Sequence, residues 1–162
     1  MNGKRILVPV NLEQNSVDAL HFVAGFAGEI PICATLLCVV ELNISALERR
    51  VYDELCRESE RRLRALAKVF FEGEQPHVCV RVGKPHEEIL AEAESEQAEL
   101  IVMASPKSSR RRLQFQSTTL ERVVRNASCL TLVLPRTWKI TPEQYRQGMR
   151  PAFVATLQSA FI

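Results

Sequence analysis

The sequence lacks both a marked excess of charge of one sign and any long apolar run. Its 21 lysines and arginines nearly balance its 19 acidic residues, which leaves a net charge of +2. This balance gives no indication of a nucleic-acid partner. Apolar runs such as Ile101–Ala104 and Leu130–Leu134 are far too short to cross a membrane. Hydrophobic residues (46%) and charged residues (25%) occur at globular levels, which excludes disordered and collagen-like classes.

The amino terminus lacks the features of a targeting signal. Met1–Ile6 leads directly into a strand-like segment, with no apolar signal region followed by a small-residue cleavage site. We therefore expect a cytoplasmic protein.

Cysteine and histidine patterns typical of metal sites or disulfides are also missing. The five cysteines are odd in number, no two have Cys-x-x-Cys spacing, and four lie in apolar segments. We expect them to be reduced, buried thiols. The histidines His21, His77 and His86 are scattered, so no metal site is expected.

No motif typical of an enzyme active site is present. The sequence has no Gly-x-Ser-x-Gly elbow, and Gly83-Lys84 lacks the upstream glycine of a phosphate-binding P-loop. Glu87 and Glu88 follow His86 directly, and adjacent helix residues point in different directions. We therefore assign no catalytic residue.

What the sequence does contain is a regular alternation of strand-like and helix-like segments. The apolar, strand-like segments are Arg5–Val10, Ile32–Val40, His77–Val82, Leu100–Ala104 and Cys129–Leu134. Helical spacing follows Ser16, covers Ala46–Phe71, follows Pro85, and begins again at a Thr118–Glu121 capping box to end near Asn126. In the longest of these helices, one apolar stripe consists of Leu47, Val51, Leu55, Leu66 and Phe70. This order predicts an α/β fold, a single doubly wound five-stranded parallel sheet with helices on both faces.

In such a sheet, a ligand crevice lies beyond the carboxyl ends of the strands, where the strand order reverses. The segments expected there are Pro9–Asn11 and Met103–Ser105. The fold rule indicates a place for a ligand but not its identity.

Residues 136–162 differ in character, and we separate this C-terminal helical extension from a domain over residues 1–135. Thr141–Gln144 is a second capping box with Pro142 at the first helical position. Beyond Pro151, the side chains of Phe153, Leu157 and Phe161 share one helical face, which needs to be covered. The cover is the chain's own domain, a second copy or a partner protein. The absence of Lys and Arg after Arg150 argues against a membrane surface.

Taken in order and spacing, the segments from Lys4 to Pro135 resemble the universal stress protein family. The resemblance rests on Ile6–Val10 with Ser16 and Ala19, Val82–Pro85 with Glu88–Leu90, Ala98–Met103, and Glu121–Val123 with Cys129 and Leu132–Val133. It implies a five-stranded α/β domain that forms a homodimer through the last strand, Cys129–Leu134.

The resemblance also implies a nucleotide site, in altered form. Some family members bind ATP through Gly-x2-Gly-x9-Gly-Ser/Thr after the fourth strand. Here the three glycine positions hold Ala104, Lys107 and Ser117, and only Thr118 matches; the acid of the first strand is replaced by Asn11. The candidate nucleotide-binding residues are Pro9, Val10, Asn11, Val40, Met103, Ser105, Lys107, Ser117 and Thr118.

Two sets of features bear on whether such a site binds phosphate. Glycines let a backbone approach phosphates closely, so side chains in their place obstruct that approach. Asn11 keeps an acceptor oxygen but lacks the charge that strengthens a hydrogen bond. Against this, the helix that begins after Thr118 offers its amino terminus to anions. Lys107 and the run Arg110, Arg111 and Arg112 are either anion contacts or a solvated basic loop.

These observations favour a universal stress protein-like module that does not bind ATP, needs no cofactor, and acts as a dimer in stress regulation. The alternative is a sensor of ATP or AMP, or a slow ATP hydrolase, that uses a modified phosphate loop. A third hypothesis is a regulatory domain whose apolar extension docks onto a partner protein.

Overall fold

The computed structural model describes residues 3–12, 17–27, 29–41, 49–73, 75–105 and 118–135. Strands and helices alternate through these ranges. The elements are β1 (Lys4–Pro9), α1 (Asp18–Phe26), β2 (Ile32–Glu41), α2 (Arg49–Phe70), β3 (His77–Gly83), α3 (Pro85–Ser95), β4 (Leu100–Ala104), α4 (Thr119–Asn126) and β5 (Leu130–Leu134). Ser16 and the extension 136–162 lie outside the described residues.

The five strands form one parallel sheet in the order β3-β2-β1-β4-β5. Register pairs such as Ile6–Ala34 between β1 and β2, and Ile6–Leu100 between β1 and β4, are all parallel. The order reverses between β1 and β4, because the chain first builds outward through β2 and β3 and then returns to the other side of β1. The predicted α/β sheet is confirmed.

Each face of the sheet carries its own helical layer and hydrophobic core. Successive side chains of a strand point to opposite faces, so β1 sends Ile6 and Val8 to one face and Leu7 to the other. On the first face, Ile6 and Val8 pack with residues of α1 and α2 such as Leu20 and Leu63. The second core, under α3 and α4, contains Leu7, Leu37, Ile89, Ala93, Ile101, Met103 and Val123.

The starts of α3 and α4 follow from local sequence signals. Pro85 occupies the first turn of α3, where its fixed φ suits a helix and its missing N–H removes no intrahelical bond. At α4 the predicted capping box is present, with Thr118 and Glu121 bonded reciprocally. These signals place both helix starts at the carboxyl edge of the sheet, directly after β3 and ahead of β5.

The first turns of α2 differ from the prediction. Val51 and Leu55 lie on the apolar stripe expected to face the core, yet they are 37% and 42% exposed, and the buried residues of α2 are Leu63 and Ala67. The reason is position: Arg62 already lies at the end of β1, where its guanidinium donates to the Leu12 carbonyl at 2.9 Å. The turns before Arg62 therefore extend beyond the sheet, with none of the described strands beneath them.

The expectation of five buried cysteines is wrong in part. All five thiols are free, as expected, but only Cys38 is buried and Cys33 is exposed. Cys33 shares a sheet face with Leu37, four residues on, but it lies at the amino-terminal end of β2, where the described helices leave that face uncovered.

Candidate functional site

The crevice at the point where the strand order reverses is built by the ends of β1 and β4. The two strands are registered at Ile6–Leu100 and Leu7–Ile101 only, so the register pairs stop before either strand reaches its carboxyl end. Pro9 has no N–H to donate to a neighbouring strand. The predicted segments Pro9–Asn11 and Met103–Ser105 are therefore brought to the same edge, on either side of this opening.

Two of the candidate residues belong mainly to the cores. Val10 is 5% exposed and packs in the core under α1 and α2, whereas Met103 is 8% exposed and packs in the core under α3 and α4. The Val10 amide donates to the Leu37 carbonyl at 2.8 Å. These side chains are buried on opposite faces of the sheet and present little surface to a ligand.

The rim of the crevice is more accessible. Asn11 is exposed, and Pro9 and Val40 are half-buried. Val40 pairs with Val82 of β3 and lies near the end of β2, the strand next to β1. The rim thus combines an amide side chain with apolar surface, a combination suited to the edge of a planar, polar-edged ligand.

The start of the predicted phosphate loop is held in the sheet. Ala104 is registered with Leu134 of β5, and the Ser105 amide donates to the Leu134 carbonyl at 2.9 Å. The chain is therefore in regular strand pairing at the first predicted glycine position. The amide that follows is satisfied by protein and is not presented to the crevice.

At the other end of that loop, the capping box fixes Thr118. Its hydroxyl accepts from the Glu121 amide at 3.2 Å, and its own amide donates to Glu121 Oε2 at 3.3 Å. Thr118 is exposed, and a hydroxyl that accepts one hydrogen bond can still donate its own hydrogen. Lys107, Ser117 and the run Arg110, Arg111 and Arg112 lie outside the described residues.

A charged cluster between β3 and α3 was missed by the sequence analysis. Arg81 Nε donates to Glu92 Oε2, and Arg81 NH1 donates to Glu88 Oε2 at 3.2 Å. Glu92 is only 4% exposed. Burial, together with the nearby Glu92 carboxylate, raises the pKa of the Cys79 thiol. The four-residue spacing of Glu88 and Glu92 on one helix face was the available signal, but it does not identify the arginine opposite.

A groove of about 260 Å³ lies on the α1/α2 face, beside the end of β1. Its walls are Val10–Leu12, Val17 and the α2 residues Arg62, Ala65, Leu66 and Val69. It is largely apolar, and Val69 is 74% exposed. Arg62, Leu66 and Val69 recur at helical spacing, which was the signal of the groove in the sequence.

Two further properties concern the described part of the chain alone. Within it, no group of three or more His, Cys, Asp or Glu side chains is arranged to hold a metal ion. None of its helices is long and apolar enough to cross a membrane.

Comparison with known proteins shows what this arrangement is similar to. The model of the family described as the universal stress protein family matches residues 3–135. Among curated proteins, no sequence matches the chain significantly.

Solved structures share the fold at low sequence identity. One is a hypothetical protein whose structure was used to assign its biochemical function, with a TM-score of 0.67, 23% identity, and coverage of 86% of this chain and 100% of that chain. A universal stress protein in complex with cAMP has a TM-score of 0.59 and 15% identity over 83% of this chain and 98% of that chain. The Archaeoglobus fulgidus universal stress protein in complex with dAMP has a TM-score of 0.58 and 18% identity over 82% and 98%.

Proposed function

The chain belongs to the universal stress protein family, and on that premise we propose that it is a cytoplasmic regulatory dimer that does not hold ATP in the manner of the glycine-loop members. Its domain covers residues 1–135, and the extension 136–162 is an appended segment. Its role is to bind other molecules, not to catalyse a reaction.

The observation that carries this proposal is the pairing at the end of β4. Phosphate loops bind anions through backbone amides that point at the ligand. Here the Ser105 amide donates to the Leu134 carbonyl at 2.9 Å, and Ala104 brings a Cβ to the first glycine position. A triphosphate at this edge would meet a Cβ where the glycine-loop members have none, and it could not use the Ser105 amide.

Asn11 weakens nucleotide binding further. It is exposed at the end of β1, where a carboxylate would form charge-assisted hydrogen bonds with ribose hydroxyls. Such bonds are about twice as strong as those between neutral groups, so the amide supplies a weaker contact at the same place.

The dimer is expected at β5. This strand lies at one edge of the sheet and is paired with β4 alone among the described strands. An edge strand invites pairing with another chain. Leu130 on β5 and Val124 on α4 are each 50% exposed, so apolar surface is available beside the unpaired backbone.

A second candidate function is the binding of an adenine mononucleotide. It is favoured by the solved relatives in complex with cAMP and dAMP. A mononucleotide needs fewer phosphate contacts than ATP does. In this chain, the Thr118 hydroxyl and the amino terminus of α4 remain as phosphate contacts, with Asn11 at the ribose.

Thermal unfolding with ATP, AMP and cAMP separates these candidates. A ligand present at 100 times its dissociation constant stabilises the fold by about 2.7 kcal/mol. We expect millimolar ATP to leave the Tm of the wild type unchanged, and the variant N11D/A104G/K107G/S117G to gain a shift of several degrees. A wild-type shift with ATP would overturn the proposal, and a shift with AMP or cAMP alone would support the second candidate.

The variant N11D/A104G/K107G/S117G, called the restored chain below, also tests whether the substituted residues are what prevents ATP binding. If neither chain responds to ATP, the replaced glycines and Asn11 are not what prevents binding. If the restored chain does respond, Thr118→Val in that background should reduce the ATP response, because a phosphate at α4 would lose the Thr118 hydroxyl.

Light scattering with edge variants tests the dimer. We expect twice the mass of one chain for the wild type and the mass of one chain for Leu130→Lys, since a charge on an edge strand opposes pairing. Val82→Lys is the matched control: Val82 is 37% exposed on β3, the opposite edge. A wild type that stays monomeric at high concentration, or equal effects of the two lysines, would refute a β5 interface.

A further inference from the structure

The groove beside β1 is walled in part by one face of α2. Arg62, Leu66 and Val69 line the groove at spacings of four and three residues, which places them on one helix face. Val51 and Leu55, earlier on the same helix, are exposed as well. Exposure of apolar side chains on a helix face to water is unfavourable, so such side chains normally pack against another element.

The size and chemistry of the groove favour side chains over a free small molecule. Its volume of about 260 Å³ falls below the range of about 300–1,000 Å³ typical of ligand pockets. Its one charged wall residue, Arg62, already donates to the Leu12 carbonyl at 2.9 Å. The groove therefore offers apolar contact but few polar groups to orient a polar ligand.

We propose that this groove is the docking site of the chain's own C-terminal segment, with Phe153, Leu157 and Phe161 packed against Leu66 and Val69 of α2. The three apolar residues span eight positions of a predicted helix, or about 12 Å. Arg62 to Val69 spans about 10 Å of α2. The stripe and the groove therefore match in length as well as in chemistry.

The course of the chain brings this segment to the right edge of the sheet. All five strands are parallel, so Pro135 after β5 and Val10–Leu12 after β1 lie at the same edge. Seventeen residues separate Pro135 from Phe153, and they reach about 40 Å even with the stretch from Pro142 to Arg150 helical. The five-stranded sheet is only about 19 Å wide, so α2 is within reach.

The composition of the segment agrees with an apolar groove. From Pro151 to Ile162, the side chains include no Lys, Arg, Asp or Glu. Docking of this stretch therefore removes no charged side chain from water, and it would cover Val69, which is 74% exposed.

Hydrogen exchange of the full chain, read by mass spectrometry, tests the proposal from both sides. In the variant F153S/L157S/F161S, amides across 62–69 should exchange about threefold faster or more, since local protection depends on packing. The control T156S/Q158S, changed at neighbouring polar positions, should leave them unaltered. Conversely, Val69→Asp should remove the protection of residues 153–161, whereas Val124→Asp on the opposite face should not.

Three other outcomes would each overturn the proposal. Unprotected amides at 153–161 in the wild type would overturn the proposal. So would protection that neither the Val69→Asp variant nor the serine variant changes, because the segment would then pack elsewhere. Protection at 62–69 that disappears on dilution would assign the contact to a second copy and refute docking within one chain. None of these readouts depends on nucleotide binding.

Discussion

The carboxylate of Glu88 lies directly over the α-carbon of Gly83. A Cβ built on Gly83 would stand 2.7 Å from Glu88 Oε1 and 2.9 Å from Glu88 Cγ, and the residue has a φ of +156°. This close approach lets Glu88 reach back to Arg81 on the strand that Gly83 ends. The glycine at the end of β3 therefore serves the ion pairs between β3 and α3 as well as the turn between them.

Gly83→Ala should lower the free energy of unfolding by about 1–3 kcal/mol, because the new methyl group displaces Glu88 from Arg81 and the backbone conformation is strained. Chemical denaturation measures this change. In a Glu88→Ala background, the same substitution should cost less. Equal costs in the two backgrounds would show that only the backbone conformation matters. Gly73→Ala is the control, since Gly73 has a φ of +90° with no atom within 4 Å of the added Cβ.

Glu92 is the buried member of the charged cluster, and its removal should be the most damaging change there. Glu92→Ala leaves Arg81 without its buried partner and should cost about 3 kcal/mol in unfolding free energy. Glu88→Ala should cost less, since the Glu88 side chain is 25% exposed against 5% for Glu92.

The double variant R81M/E92L replaces the buried pair with apolar side chains of similar length and should recover most of the loss. Denaturant midpoints at a fixed pH measure all four chains. If the double variant is as unstable as Glu92→Ala, the uncompensated charge of Arg81 is not the cause of the instability of Glu92→Ala.

The Glu99 carboxylate, at the amino-terminal edge of the sheet, makes the free energy of unfolding depend on pH. The Arg5 amide donates to its carboxylate at 3.1 Å and Lys4 Nζ at 3.0 Å, and these contacts lower the pKa of Glu99 below its usual 4.5. A carboxyl whose pKa is lower in the folded state stabilises the fold above the unfolded pKa. That contribution disappears as the pH falls through the folded pKa.

Glu99→Gln should therefore reduce stability near pH 7 and reduce it less below about pH 4.5. The side chain is 31% exposed, so the effect should stay within about 1 kcal/mol. Urea unfolding at several pH values provides the test, with Glu94→Gln on the exposed surface of α3 as the control. A loss that does not vary with pH would rule out ionisation as its source.

The sequence predicted the fold well because its signals are local. Apolar runs, the Pro85 start and the Thr118–Glu121 capping box each lie within a few residues of the structure that they specify. The strands were placed within one or two residues for the same reason. Parallel strands also place all carboxyl ends at one edge, so Asn11 and Ser105 could be assigned to the same crevice before the strand order was known.

The features that the sequence could not predict depend on how elements distant in the chain lie against each other. Periodicity places Val51 and Leu55 on an apolar stripe. Only the contact of Arg62 with Leu12 shows that the first turns of α2 extend past the described strands. The pairing of Arg81 with Glu92 depends on how α3 lies across β3. The engagement of the Ser105 amide by Leu134 likewise requires the register of β4 with β5, which no local pattern encodes.

Thr118 caps α4 and is also the phosphate contact that we propose, and one pair of substitutions distinguishes the two roles. Its hydroxyl caps α4 by accepting from the Glu121 amide at 3.2 Å. Thr118→Ala should therefore lower the unfolding free energy by about 1 kcal/mol, whereas Thr118→Ser keeps the oxygen and should cost little. Both effects should be present without any nucleotide. If alanine and serine are equally harmless, the capping box contributes nothing to stability. If the alanine variant loses only a response to AMP or cAMP and no stability, the hydroxyl serves the ligand and not the helix.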